Sequence, residues 1–460
     1  GAGLFFTMTT NFVQIRMIKE MIRLVINGAG SSTEKNHVSS FQAFCVSTAS
    51  RVGVGNIAGI AIAVVLGGPG AIFWMWVIAL IGAATGFIES TLAQIYKEPV
   101  AKGGFYGGPA YYIRYGLNNK ALSVLFAILI SIPLGWIYNS VQANTLAASL
   151  HVFNLDVSYT GAVVAVLLGI IIFGGINRVA KASEIIVPIM AVLYIATALF
   201  VVIMNITQFP HVIYTIISSA FEPVAAGGGL LGATVMNGIK RGLFSNEAGE
   251  GSVPNAAATA AVNHPVEQGL VQAFGVFLDT FIICTASAFI VLMVGDYSTT
   301  GLTGVALVQH NLEQQLGSWA PTAVAIFIVM FSFSSLIGNY YYGEINISHL
   351  TEKKFYLHLF RIGVIIMTFV GSIASLDLVW NLADLFMAFL VLTNISSIVR
   401  MGRTAGLALD DYIKQRKAGI ETPVFNRSVL NHTYGIVWWG DGQTTDSSVP
   451  PTPVENTMEK

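Results

Sequence analysis

The chain has 460 residues, of which 54% are hydrophobic and only 10% are charged, and its formal net charge is −1. A soluble globular domain carries about 25% charged residues, so this composition cannot cover a water-soluble surface of this size. It predicts a single helical membrane bundle whose surface mostly faces lipid. The nearly neutral charge gives no long-range field that would attract a nucleic acid, so we expect no such partner.

The first 36 residues are expected to form a region of their own. The chain opens on the apolar stretch GAGLFF, which we interpret as the tail of a lost N-terminal helix. Residues 11–26 then alternate apolar and basic side chains at helical spacing. This pattern favours an amphipathic helix lying on the inner leaflet over a plain cytoplasmic connector.

Apolar segments recur along the rest of the chain, and about 20 such residues are needed for a helix to cross a bilayer. The clear candidates are 40–66, 71–96, 121–150, 159–175, 184–205, 267–294, 319–343, 356–373 and 378–400. A further segment, 211–241, is interrupted by Pro223 and by the glycines that follow it. The distribution of Lys and Arg decides this case, because basic residues concentrate in cytoplasmic loops.

If 211–241 crosses, nearly all loop Lys and Arg residues fall on the inner side. The sequence therefore predicts ten crossings within a transmembrane core at 37–403, followed by a cytoplasmic tail at 404–460. In this topology Lys240 and Arg241 lie near the inner end of the sixth crossing, where long basic side chains can extend to water.

Two of these crossings contain glycine-rich interruptions. The first holds Val52-Gly53-Val54-Gly55-Asn56, and the sixth holds Gly227-Gly228-Gly229. Each Gly costs a helix about 1 kcal/mol against Ala, and backbone groups freed inside a membrane must be bound by protein, water, ligand or ion. Close helix packing is the alternative reason for these glycines. Interrupted helices five crossings apart favour a five-plus-five inverted repeat.

Several longer stretches resemble those of the alanine/glycine:cation symporter family. They are GGPGAIFWMWVIALIG at 67–82, FQAFCVSTAS at 41–50, GGPAYYI at 107–113, RGLFSNEAGEGS at 241–252 and FLDT at 277–280. The resemblance covers nearly the whole chain. It implies an all-α, LeuT-like fold with discontinuous helices 1 and 6, coupling to Na⁺ or sometimes H⁺, and substrates such as alanine and glycine.

The wider fold implies two sites beside the break in the first crossing. Backbone amides there would bind the substrate carboxylate, and the substrate-binding set is Thr48, Val52, Gly53, Val54, Gly55, Asn56, Gln142, Gly227, Gly228 and Trp380. A Na⁺ site would use oxygen atoms, which suit a hard cation. Its expected ligands are the carbonyls of Ala49, Val52 and Phe331 with the hydroxyls of Ser334 and Ser335.

Some of these side chains also suit purely structural roles. Gln142 equally suits a hydrogen bond between helices, Ser334 and Ser335 can bond to carbonyls one turn earlier, and Trp380 is an aromatic at a helix end. Ionisable residues within a crossing are costly and usually functional. Asp279 could pair with Arg51, ligate a cation or carry a proton, whereas Arg51 suits a structural or gating role.

The sequence and its resemblance to this family therefore indicate a secondary symporter that imports small neutral amino acids with Na⁺ by alternating access. H⁺ coupling, a substrate such as glutamine or serine and, remotely, a channel remain alternatives. No P-loop and no nucleophile–base or metal constellation is evident, so we expect neither ATP-driven transport, nor an enzyme, nor a cofactor beyond the coupling ion. Residues 246–250 and His264 are expected to be wet and part of an inner gate. We expect a multi-pass protein of the inner cell membrane with a cytoplasmic C-terminus.

Overall fold

The computed structural model describes residues 1–29, 38–100, 103–174, 176–222, 229–293 and 297–440. These ranges are almost entirely helical. The helices of the first half are α1 (Ala2–Thr9), α2 (Val13–Arg16), α3 (Ile18–Ala29), α4 (Ser40–Arg51), α5 (Ala58–Gly67), α6 (Gly70–Ile95), α7 (Pro109–Gly116), α8 (Lys120–Ile132), α9 (Asn139–Ser149) and α10 (Val157–Ile172). Those of the second half are α11 (Ile176–Met204), α12 (Phe209–Ser219), α13 (Gly229–Asn246), α14 (Val253–Thr259), α15 (Pro265–Phe277), α16 (Thr285–Leu292), α17 (Gly304–Leu316), α18 (Ala320–Leu350), α19 (Lys354–Ile373) and α20 (Leu376–Lys417).

Smaller elements join these helices. A short antiparallel hairpin pairs β1 (Glu98–Pro99) with β2 (Phe105–Tyr106). Two wide, π-helical turns keep neighbouring helices continuous, Pro133–Tyr138 between α8 and α9 and Leu278–Cys284 between α15 and α16. Such turns displace side chains relative to a regular helix and are frequent at functional sites.

Within the described ranges, seven helices are long and apolar enough to cross a membrane, which makes the chain a multi-pass membrane protein. They are Gly70–Ile95, Lys120–Phe153, Ser183–Met204, Pro265–Leu292, Ala320–Leu350, Lys354–Ile373 and Leu376–Lys417. All seven coincide with predicted crossings. Helices α5 and α10 are apolar but shorter. The full count of ten crossings remains a prediction.

The predicted break in the first crossing is confirmed. Helix α4 begins with a capping box between Ser39 and Gln42, and α5 begins only at Ala58. Between them, residues 52–57 leave the α-helical path and make one 3₁₀ turn. We refer to α4, residues 52–57 and α5 together as the first broken helix.

The second discontinuous helix is also present, and within the described residues its break follows α13. Gly227 and Gly228 lie outside the described residues, whereas α13 runs unbroken to Asn246 and α14 begins at Val253. Residues 247–252 between them include left-handed backbone at Glu247 (φ 56°), Gly249 (φ 87°) and Gly251 (φ 86°). We refer to α13, residues 247–252 and α14 as the second broken helix.

The course of α13 also corrects the predicted position of Arg241. The beginning of α13 lies at the end of the bundle that carries the turn after α5, because a side chain at Gly67 would contact Asn237 at 3.0 Å. The preceding α12 packs there as well, with the carbonyl of Ala220 accepting a hydrogen bond from Trp74. The prediction that Arg241 extends to water at the opposite end was therefore wrong.

The N-terminal helices pack against the body. Phe6 on α1 is buried and contacts Gly402 on α20. Helix α3 is amphipathic as predicted, and its Glu20 forms an ion pair with Arg416 at 3.2 Å. The apolar side chains that remain exposed on α2 and α3 are Ile15, Ile18, Ile22 and Ile26. Their three- to four-residue spacing gives one apolar face that suits lipid.

The C-terminal region belongs to the same body. Helix α20 continues without interruption past residue 403, the predicted end of the core, to Lys417. We refer to residues 418–440 as the C-terminal segment. Its buried apolar side chains are Phe425, Leu430, Ile436 and Trp439. The Trp439 indole donates a hydrogen bond to the Gln94 carbonyl at 2.8 Å, which fastens this segment to the end of α6.

Candidate functional site

Side chains already bind part of the exposed backbone of the first broken helix. The N–H of Val54 donates to Gln142 Oε1 at 3.0 Å, and the N–H of Gly53 donates to Asn56 Oδ1 at 3.0 Å. Gln142 therefore makes a hydrogen bond between helices, and it makes that bond to the predicted site itself. The N–H of Gly55 has no hydrogen-bond partner within the described part of the chain.

Asp279 joins three helices at this break. Its carboxylate accepts hydrogen bonds from Asn56 Nδ2 at 2.6 Å, Ser245 Oγ at 2.8 Å and Thr280 Oγ1 at 3.1 Å. Asp279 and Thr280 are buried on the π-helical turn that carries them, whereas Phe281 and Ile282 of the same turn are exposed. The first and second broken helices therefore meet at one buried carboxylate, a group suited to a cation.

The predicted Na⁺ ligands on α18 and α4 lie in two adjacent groups. Ser335 Oγ is 2.9 Å from the carbonyl oxygen of Ala49, and a side chain at Gly53 would collide with that hydroxyl. Ser334 Oγ instead bonds to the Phe331 carbonyl at 2.9 Å. Ser335 thus connects the two helices, whereas Ser334 makes the bond within one helix that was its alternative role.

Three aromatic rings cover the break. Phe244 lies next to Gly55, its ring centroid is 4.9 Å from that of Trp380, and it is 5.0 Å from that of Tyr138. The indole of Trp380 also packs on Gly59, where a side-chain carbon would come within 3.1 Å of it. Because Gly55 and Gly59 have no side chains, the rings of Phe244 and Trp380 fit against the backbone there. Trp380 is therefore a buried residue that lines this site, and not an aromatic at the membrane interface.

An ion pair lies above this aromatic layer. Arg241 Nη2 bonds to Asp384 at 2.5 Å, and the guanidinium carbon is 4.5 Å from the Trp380 ring centroid. Both residues line a cavity of about 460 Å³ together with Lys240, whose amine is 3.5 Å from Asp384. We refer to this cavity as the vestibule. The Arg241–Asp384 ion pair and the Trp380 indole form its floor.

The break in the second broken helix is dry and acidic. Glu247 accepts from Ser50 Oγ at 2.7 Å and from Ser252, while Glu250 accepts from Tyr138. Both carboxylates and His264 are buried, so the prediction of a wet loop was wrong. Hydrogen bonds from neighbouring hydroxyls replace part of the hydration that these buried carboxyl groups lose.

Arg51 is buried as predicted but does not form the ion pair that was one alternative. Its Nη1 donates to the backbone carbonyl of Gln272 at 3.1 Å, and its Nε and Nη2 have no partner in the described ranges. Gly275 leaves the space for it, because any side chain there would collide with the guanidinium. Arg51 therefore fastens the end of α4 to α15.

The remaining site predictions have less specific surroundings. Thr48 is buried one turn before the break, its hydroxyl has no partner among the described residues, and its carbonyl accepts from the Val52 N–H at 2.8 Å.

No role was assigned from the sequence to Tyr138, Phe244 or Ser245. Two of these lie in RGLFSNEAGEGS, so the motif itself could have identified them had the break been placed there.

Comparison with known proteins gives one family. The model of the sodium:alanine symporter family matches residues 1–427. A probable sodium/glutamine symporter of Bacillus subtilis, GlnT, is 52% identical over 95% of this chain and 91% of its own length. The amino-acid carrier protein AlsT of the same organism is 49% identical over 96% and 94%. The sodium/alanine symporter AgcS of Methanococcus maripaludis is 40% identical over 87% and 89%.

Solved structures agree on the fold. A manganese transporter of Eremococcus coleocola aligns with a TM-score of 0.57 at 12% identity, covering 82% of this chain and 87% of that one. MhsT, determined in complex with L-phenylalanine, aligns with a TM-score of 0.55 at 13% identity, covering 83% and 90%. At these identities the likeness concerns the backbone alone, and it confirms the predicted LeuT-like architecture.

Proposed function

Because the chain belongs to the sodium:alanine symporter family, we propose that it imports small neutral amino acids, alanine and glycine among them, together with Na⁺. The observation that carries this proposal is the meeting of two broken helices at Asp279, next to the unpartnered N–H of Gly55. A free amide and a buried carboxylate side by side suit a zwitterion and a cation bound together.

The substrate carboxylate is assigned to the helix 1 break. Gly55 offers a free N–H, and Val54 offers a second once Gln142 moves aside. Phe244 would then lie over the substrate, with Trp380 beyond it. We assign Thr48, Val52, Gly53 and Asn56 to the remainder of the substrate pocket.

The coupling cation is assigned to two alternative places. The carbonyls of Ala49, Val52 and Phe331 with Ser334 and Ser335 form the first, and its best support is the contact of Ser335 with Ala49. Asp279 is the second, for Na⁺ or for a proton. Substrate and cation must raise each other's affinity by the same factor if they are coupled through binding.

The names of the relatives include more than one amino-acid substrate. GlnT is a probable glutamine symporter and AgcS an alanine symporter, so glutamine and serine stay alternatives for this chain. We assign the chain to the inner cell membrane with its C-terminus in the cytoplasm, as the distribution of basic residues favours. Nothing in the proposal requires an enzymatic step or a cofactor.

The test is uptake of labelled L-alanine into proteoliposomes that contain the purified protein. An inward Na⁺ gradient and an inward H⁺ gradient are each compared with no gradient. Concentrative uptake driven by Na⁺ is the expected result. Uptake driven by H⁺ alone would overturn Na⁺ coupling, and an absence of uptake of any neutral amino acid would overturn the function.

Asp279→Asn distinguishes the two cation assignments, because it removes the charge and keeps the size of the side chain. If Asp279 binds the cation, uptake by this variant loses its dependence on the Na⁺ gradient, while Ser335→Ala retains it with unchanged Na⁺ affinity. The opposite ranking assigns the cation to the α18 site. Thermal unfolding of both variants shows whether lost uptake reflects lost folding.

A further inference from the structure

Four buried side chains from different parts of the bundle form one continuous chain of hydrogen-bond contacts. It runs from Asn139 through Asn339 and Ser50 to Glu247, with contacts of 3.1 Å, 2.7 Å and 2.7 Å. The chain joins α9, α18 and α4 to the break in the second broken helix. All four side chains are buried, so water at the protein surface does not take part. The protons in these contacts must therefore come from the side chains themselves.

The direction of the bonds is fixed from the Asn139 end. Asn139 Nδ2 donates to the backbone carbonyl of Gly135 at 3.1 Å, and a carbonyl oxygen can only accept. Asn139 Oδ1 therefore accepts from Asn339 Nδ2, which leaves Asn339 Oδ1 towards Ser50. Because an amide oxygen has no proton to give, the contact between these two side chains needs the hydroxyl proton of Ser50.

Ser50 then has no proton left for Glu247. A serine hydroxyl carries a single proton, yet its oxygen lies 2.7 Å from both Asn339 Oδ1 and Glu247 Oε1. If Glu247 is ionised, it takes that proton, and Ser50 and Asn339 face each other as two acceptors. If Glu247 is protonated, it donates to Ser50, and every contact in the chain has a proton. Its other oxygen still accepts from Ser252.

The groups around Glu247 also favour the neutral acid. Those that act on it from the packed elements are Arg51 on α4, Glu89 on α6, Tyr138 and Asp279 on the two π-helical turns, Tyr342 on α18 and Glu250 in the same break. Among these six groups one is a cation and three are carboxyl groups, so a further buried negative charge is costly. The Nε and Nη2 of Arg51 lack partners in the described ranges, which leaves donors for a carboxylate that loses its proton.

We propose that Glu247 is a proton-binding residue, which holds a proton while the two broken helices are packed together and releases it when the second broken helix separates from α4. The proton closes the hydrogen-bond chain, and Arg51 receives the ionised carboxylate after release. This proton is distinct from the coupling cation, which is assigned to the α18 site or to Asp279. Its presence on Glu247 is independent of the proposed function, whereas its release during turnover rests on that function.

Infrared spectroscopy of the purified full chain tests the proton directly. A protonated carboxyl group has a carbonyl stretching band that an ionised carboxylate lacks. Glu247→Gln keeps the shape of the acid and places an amide N–H where its O–H was. The variant should therefore unfold at the same temperature as the unchanged protein and lack one such band. A spectrum in which that band persists would overturn the inference.

Glu344→Gln is the matched control. Glu344 is also a buried glutamate, but it accepts from Arg361 Nη2 at 3.0 Å and so forms an ion pair. Its replacement leaves Arg361 without a counter-charge and should lower the unfolding temperature, while the carbonyl band of the protonated acid stays. Loss of the band in this variant as well would show that the band does not report on Glu247, and would overturn its assignment.

Uptake measured at several pH values tests release of the proton. Na⁺-driven uptake of L-alanine into proteoliposomes is recorded with equal pH on both sides. Acidification favours the packed form, because the form that binds more protons gains population. The initial rate of the unchanged protein should fall as the pH is lowered, by at most about tenfold per pH unit for one proton.

Glu247→Gln cannot release its donor, so its uptake should stay at the slow rate of the acidified protein at every pH. Uptake by this variant with the full pH dependence of the unchanged protein would overturn the proposed release. A folded variant with no Na⁺-driven uptake at any pH would show that Glu247 works as a carboxylate, which also overturns the inference.

The two proposals fail in different ways. Absence of Na⁺-driven uptake of every neutral amino acid by the unchanged protein would overturn the proposed function, while the infrared comparison would still decide whether Glu247 is protonated. Na⁺-driven uptake by the unchanged protein, together with identical carbonyl bands in Glu247→Gln, would leave the function standing and overturn the proton assignment.

Discussion

Gln142 Oε1 accepts a hydrogen bond from the backbone N–H of Val54 at 3.0 Å, so a side chain from one crossing binds the broken backbone of another. An N–H freed inside a membrane has no lipid partner, and the amide oxygen of Gln142 supplies one. The same N–H is one of those assigned to the substrate carboxylate. Gln142 and substrate are therefore expected to compete for it.

Gln142→Leu removes the acceptor and keeps a side chain of comparable size. With the Val54 N–H left unpaired, we expect a loss of about 1–3 kcal/mol in folding free energy, together with altered substrate affinity. Gln309→Leu is the control, because Gln309 is also a buried amide but donates to Ser149 away from the break. It should lower the thermal unfolding temperature without changing substrate affinity. Equal affinity changes in both variants would contradict a local role for Gln142.

Ser335→Ala tests the hydroxyl that contacts the Ala49 carbonyl. Loss of one oxygen ligand worth about 1 kcal/mol should raise the half-saturating Na⁺ concentration of uptake about fivefold. Ser334→Ala should do less, because its hydroxyl bonds within α18. Ser332 lies in the same helix, and its buried hydroxyl has no hydrogen-bond partner in the described part of the chain. The variant Ser332→Ala should therefore leave the Na⁺ dependence of uptake unchanged. The prediction is contradicted if Ser332→Ala shifts it as much as Ser335→Ala.

Asp384→Asn breaks the ion pair at the vestibule floor and leaves Arg241 buried without a full counter-charge. Removal of one partner of a buried pair costs about 3–5 kcal/mol, so a marked fall in thermal stability is expected. The double variant Arg241→Met with Asp384→Leu should lose less than the sum of the single changes, since no lone charge remains. Additive losses would show that the pair is not coupled.

Trp439→Ala tests the C-terminal segment. The indole is 3% exposed, packs edge to face with Phe425 and bonds to the end of α6, so its removal is expected to cost about 3–5 kcal/mol. Trp319→Ala, at an exposed position, should cost far less. Unfolding monitored in detergent compares the two, and equal midpoints would mean that the segment adds no stability.

The break in the first broken helix could be predicted because its cause is local. Three glycines and an Asn within eight residues weaken a helix whatever surrounds it, and each glycine proves to face a bulky neighbour. Gly53 faces Ser335 and Gln142, and Gly55 faces Phe244. Helix spans were predictable for the same reason, since length and apolarity are properties of the segment alone.

The break in the second broken helix could not be located in this way. Its residues 247–252 include two glutamates, which suggest a wet loop when read alone. They are buried because Ser50 and Tyr138, from other parts of the chain, provide hydrogen bonds in addition to Ser252 within the segment. The Arg241–Asp384 pair was missed for a related reason, since its members are 143 residues apart and only the fold brings them together.

The contact between Trp439 and Gln94 joins residues 345 positions apart in the chain. Because the polypeptide is synthesised from its N-terminus, this contact cannot form until the chain as far as Trp439 has left the ribosome. A nascent chain that already holds every apolar span still lacks the C-terminal segment on the end of α6. Synthesis of the C-terminal segment, and not insertion of α20, is then the step that completes the tertiary structure at the end of α6, and a chain clipped after Lys417 never reaches it.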